Sequence, residues 1–101
     1  MGKDLTQLTG SQKDALNEIK KFIFDKKSLD YYQLISLIGR AGYKTKINGG
    51  GHNEVYFDNE RLRNEEGLPI LFSQKKSSMT PGNYKKILRA LLLDLESRYE
   101  I

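Results

Sequence analysis

The chain has no cysteine and no tryptophan, and only one histidine and two prolines in 101 residues. Without thiols there are no disulfides and no thiolate metal sites. His52 is the only imidazole, so a zinc site would need carboxylates for its other ligands, and none are spaced for that. The nucleophile elbow Gly-x-Ser-x-Gly is also missing. No apolar run approaches the roughly 20 residues that span a bilayer. The first four residues, Met-Gly-Lys-Asp, lack the apolar stretch of a secretory signal. These absences set the expectation of a cytoplasmic protein with no cofactor, no metal and no membrane partner.

What remains suffices for one modest hydrophobic core. Hydrophobic residues make up 38% and charged residues 30%, the balance of a folded soluble chain rather than a disordered one. Lys and Arg number 17 against 13 Asp and Glu, a net charge of +4. That suits a phosphate-bearing partner, and it equally suits a plain solubilising surface.

Residues 1–10 are polar and read as frayed. Ser11 before Gln12-Lys13-Asp14 reads as an N-cap, opening a first helix over 12–25. Ala15, Leu16, Ile19, Phe22 and Ile23 form its apolar face. Ser28-Leu29-Asp30 breaks the chain and caps a second helix carrying Tyr31, Leu34, Ile35 and Ile38. Gly42 is placed to end it in the left-handed conformation. Residues 43–47 read as a strand, Asn48-Gly49-Gly50-Gly51 as a turn, and 52–57 as the returning strand of a hairpin. Residues 58–67 read as a loop and 68–72 as a third strand with Pro69 near its start or on an edge. Thr80 as N-cap and Pro81 as first helical residue open a last helix. Its stripe is Tyr84, Ile87, Leu88, Leu91, Leu92 and Leu95. Helix, helix, three strands and helix imply an α+β fold: a three-stranded antiparallel sheet with helices on one face.

Gly50 and Gly51 directly precede His52. Glycines let backbone N–H groups approach an anion closely, and an imidazole beside them suits proton transfer near neutral pH. The same pattern also fits a simple hairpin turn with a polar first strand residue. It is neither a P-loop nor a dinucleotide fingerprint, because strands flank it on both sides. Basic residues gather in three places. Lys44 and Lys46 share a strand face, Lys75 and Lys76 precede the last helix, and Lys85, Lys86 and Arg89 lie off its apolar stripe. These are candidate phosphate contacts or a solvated polar surface.

Three segments together resemble the HicA family of bacterial toxins. Residues 34–43, Leu-Ile-Ser-Leu-Ile-Gly-Arg-Ala-Gly-Tyr, are similar to that family's first helix and its Gly-aromatic entry to the sheet. Residues 51–57, Gly-His-Asn-Glu-Val-Tyr-Phe, are similar to its Gly-Ser-His-His stretch. Residues 80–88, Thr-Pro-Gly-Asn-Tyr-Lys-Lys-Ile-Leu, are similar to the start of its last helix. The second histidine and the serine of that stretch are absent, as is a further histidine near the end of the third strand. The resemblance implies a fold like the double-stranded-RNA-binding domain over 31–101, with 1–30 as a helical extension. It implies a metal-independent endoribonuclease acting on messenger RNA, the toxin of a toxin–antitoxin pair. His52 would be the catalytic base. Gly50, Gly51, Lys44, Lys46, Lys75, Lys76 and Lys85 would bind phosphate, and the protein partner would be an antitoxin of HicB type. Two alternatives stand beside this: a non-catalytic RNA-binding module, and a protein-interaction domain docking through its first helix.

Overall fold

The computed structural model describes residues 8–24, 29–73 and 81–99, without the side chains of Pro81 and Asn83. Helix α1 (Gly10–Phe24) starts earlier than expected. Its cap is Thr9 rather than Ser11. Thr9 Oγ1 accepts from the Gln12 N–H at 3.0 Å, and Gln12 Oε1 accepts from the Thr9 N–H at 2.9 Å. Thr9-x-x-Gln12 thereby forms a capping box, which satisfies two helix-start donors at once. Nor is this entry frayed, because Leu8 is buried. Helix α2 (Tyr31–Arg40) opens on Asp30 in a second capping box with Gln33. It ends as expected, with Gly42 at φ +95°. The Tyr43 N–H reaches Ile38 O at 3.1 Å and the Gly42 N–H reaches Gly39 O at 3.0 Å, the paired bonds of a Schellman motif.

Strand β1 (Lys44–Ile47) pairs antiparallel with β2 (His52–Phe57), setting Lys44 opposite Tyr56 and Lys46 opposite Glu54. The other edge of β2 is shared by β3 (Glu60–Arg61) and β4 (Leu71–Ser73). The sheet therefore carries four strands among the described residues, not three. Two polar residues inside the expected loop make β3, and the last strand begins later than expected. Neither shift shows in local pattern, since a two-residue strand has no period of its own and takes its conformation from the β2 edge. Between β3 and β4 the chain leaves the sheet as a small hairpin, closed by the bridge between Arg63 and Pro69.

Helix α3 (Pro81–Tyr99) buries Tyr84, Ile87, Leu88, Leu91, Leu95 and Tyr99. The expected cap Thr80 lies outside the described residues. One sheet face meets the helices. Asn53 Nδ2 donates to Tyr31 Oη of α2 at 2.9 Å, and Phe57 lies under the Arg98 guanidinium of α3. Among the described residues no helix covers the opposite face, where Lys44, Lys46 and His52 are exposed.

α1 lies against both α2 and α3. It places Ala15, Leu16 and Ile19 in the common core and sets Phe22 edge-on to Tyr84. Buried Gln12 ties the layer together: its Nε2 donates to Ala41 O at 3.1 Å and to Tyr99 Oη at 3.4 Å. The apolar face of α1 is thus used internally through Ala15, Leu16 and Ile19, while Phe22 and Ile23 at its end are only partly buried.

Candidate nucleic-acid interface

The hairpin between β1 and β2 puts His52 where it is. The Asn48 N–H bonds His52 O at 2.8 Å, and the Gly51 N–H bonds Asn48 O at 3.1 Å. Gly51 sits at φ +79°, so the loop is a turn completed by one left-handed residue. Of the three consecutive glycines only Gly51 takes positive φ. Asn48 Oδ1 then accepts from the Gly50 N–H at 2.9 Å and from the His52 N–H at 3.0 Å. The amides of Gly50 and Gly51 therefore turn inward to Asn48. The notion of these two amides cradling an anion meets a physical obstacle, because each already has a partner inside the turn.

His52 is exposed, opposite Ser73 of β4. Strand alternation places His52, Glu54 and Tyr56 on the open face, away from Asn53 and Val55. The register adds Lys44 and Lys46 from β1 and Arg61 from β3 to that face. Opposite residues on paired strands stand about 5 Å apart at Cβ, so these groups form one surface. Lys46 Nζ stands 5.1 Å from the centre of the Tyr56 ring, and Arg61 Cζ stands 5.8 Å from it. Arg61 Nη2 pairs with Glu54 Oε2 at 3.1 Å. The Tyr56 hydroxyl, and after it Glu54, holds the Arg61 guanidinium above its ordinary pKa.

A groove of about 990 Å³ adjoins this face, running between α3 and the segment from Arg63 to Ser73, with His52 among its lining residues. Lys86 and Arg89 line its helical wall, while Lys85, half-buried, does not. Lys86 and Arg89 are three residues apart and so share a helix face. Glu65 and Glu66 also line the groove and offset part of its positive charge.

The structure thus gathers His52, Lys44 and Lys46 and sets Lys85 apart from them. Lys75 and Lys76 lie outside the described residues. Arg61, Tyr56 and Glu54 are additions. Period-two alternation from His52 points to Glu54 and Tyr56. No sequence signal points to Arg61, whose place depends on β3 pairing. Among the described residues no helix is long and apolar enough to cross a membrane.

By fold and surface the chain is a small α+β protein whose sheet presents one cationic face. No protein-family model, no curated protein and no solved structure matches it.

Proposed function

We propose that this chain is a small RNA-directed protein of the messenger-RNA interferase type, resembling the HicA toxins, and that it holds the RNA backbone on its open sheet face with His52 as general base. The observation that carries this reading is the exposed His52 on a surface shared with Lys44, Lys46 and Arg61. Lysine and arginine neutralise phosphates, and an exposed imidazole can reach a ribose hydroxyl. In the reaction His52 takes the proton of a ribose 2′-hydroxyl. The oxygen attacks the adjacent phosphorus, and the bond from phosphorus to the 5′-oxygen breaks. A 2′,3′-cyclic phosphate and a 5′-hydroxyl result, the leaving oxygen taking its proton from water or a lysine. A lysine stabilises the charge on the phosphorane. A cytoplasmic setting and an antitoxin of HicB type as protein partner belong to the same reading.

The test is cleavage of a labelled messenger RNA by the purified protein, with His52→Ala as control. Cleavage with 2′,3′-cyclic ends, lost by at least about 100-fold in the variant, is expected. Intact RNA, with cells that keep growing when the protein is expressed, sinks the nuclease reading.

A second reading, RNA binding without cleavage, has its own support. The Gly50 and Gly51 amides are bonded to Asn48, and the chain has no second histidine to serve as general acid. Equal RNA affinity of wild type and His52→Ala, with no cleavage by either, favours it.

A further inference from the structure

Glu54 is anomalous on the open face. Strand alternation directs it toward solvent with His52 and Tyr56, yet it is only 9% exposed. Its two oxygens have separate partners: Oε1 accepts from the Tyr56 hydroxyl at 3.1 Å and Oε2 pairs with Arg61 Nη2 at 3.1 Å. Arg61 Nη2 also donates to the Tyr56 hydroxyl at 3.4 Å, which joins the three groups into one cluster. Lys46 lies directly across the β1–β2 pair and Leu71 across the β2–β4 pair, so neighbours flank Glu54 on both sides. Three strands therefore bring a lysine, a tyrosine and an arginine around a single carboxylate.

Stability alone is a weak reason for this arrangement. The Arg61 side chain is 37% exposed, and an ion pair with a partner at the solvent boundary contributes little. The carboxylate also cancels one positive charge at the centre of the cationic face. A guanidinium beside a hydroxyl binds the oxygens of a carboxylate and of a phosphodiester in the same way.

We propose that Lys46, Tyr56 and Arg61 form a binding subsite for a backbone phosphate of single-stranded RNA, and that Glu54 is its internal occupant in the free protein. The proposal rests on the reading of this face as RNA-binding. An incoming phosphate displaces the Glu54 carboxylate and takes over its donors, the Tyr56 hydroxyl and Arg61, with Lys46 alongside. Glu54 thereby weakens binding to weakly charged ligands, since only a phosphate able to outcompete it gains the site. The subsite is also on the strand of His52. Tyr56 stands four residues along β2 from it, roughly 13 Å, so a phosphate held there leads a nearby nucleotide of the same RNA toward the imidazole.

The probe is a fluorescent, 2′-O-methylated oligouridine of about 12 nucleotides, which cannot be cleaved through its 2′-oxygen. Affinity is measured by anisotropy across a salt series for wild type, Glu54→Gln, Arg61→Ala and the double variant. Glu54→Gln is expected to bind about threefold tighter, with the log–log salt slope steeper by about 0.7. Arg61→Ala is expected to cost more affinity in the Glu54→Gln background than in the wild type, because only there is Arg61 without its carboxylate partner beforehand. Unchanged or weaker binding by Glu54→Gln, or equal costs of Arg61→Ala in both backgrounds, overturns the subsite. A readout on the wild type covers the case of an unstable variant. The Arg61 Nε–H and Tyr56 ring resonances should shift on adding the probe, and resonances that stay in place overturn the subsite too. If the wild type binds no RNA at any salt concentration, the RNA reading itself fails. If it binds but Glu54→Gln changes nothing, only the subsite does.

Discussion

Single residues decide how the His52 turn is built. Gly51 holds a left-handed conformation, whereas Gly49 and Gly50 do not, and a Cβ at Gly49 would meet nothing within 4 Å. Gly51→Ala should therefore lower unfolding stability by about 1–2 kcal/mol. Gly49→Ala should be neutral or stabilising by up to about 1 kcal/mol, because it narrows only the unfolded ensemble. Urea denaturation of the two variants separates these outcomes. Tyr43 is the other telling residue. Its buried hydroxyl donates to Asp94, which also accepts from Arg98 Nε at 2.7 Å. Burial first, then the hydrogen bond to Asp94, raises the Tyr43 pKa well above its ordinary value near 10. In the folded state the phenol keeps its proton at a pH where the unfolded chain has lost it. Its contribution is complete below about pH 10 and falls as pH rises further. Alkaline denaturation should thus be steeper in the wild type than in Tyr43→Phe, as circular dichroism from about pH 9 to about pH 12 would show.

At the scale of elements, α1 is the part whose role most exceeds its sequence pattern. Its amphipathic face is plain from Ala15, Leu16 and Ile19, but the same face suits a docking helix or an appendage. The structure sets it against both α2 and α3, with Gln12 bonded to the end of each. Gln12→Ala should cost about 1–3 kcal/mol, since it takes buried partners from the Ala41 carbonyl and the Tyr99 hydroxyl. Ile19→Ala should cost about 2–5 kcal/mol. A chain beginning at Tyr31 should lack cooperative thermal unfolding, which calorimetry tests directly. Helix stripes, the Asp30 cap and the Gly42 stop were legible because each depends on residues within one or two turns. β3 was not, because Glu60 and Arg61 become a strand only by pairing with Phe57 and Tyr56. Preferring Lys85 to its neighbours had the same weakness, since only the packing angle of α3 shows that Lys86 and Arg89 line the groove.

For the whole molecule, the net charge of +4 says less than its placement. Lys44 and Lys46 add two positive charges to one sheet face, whereas Arg61 arrives there already engaged by Glu54. If the open face binds RNA, Lys44→Ala and Lys46→Ala should each reduce the salt slope by about 0.7. Lys20→Ala on α1 should leave it unchanged. Titration of the same oligonucleotide into each variant checks this, and equal effects at all three positions would mean that no face is specific. The sequence by itself determined the helices, the hairpin, the lack of thiol chemistry and His52 as the residue to watch. All of these rest on composition or on neighbours close along the chain. Only the tertiary structure decided that α1 joins the core, and that Glu54 lies between Tyr56 and Arg61. Those outcomes depend on strand register and helix packing, which bring together residues whose separation in sequence carries no local signal.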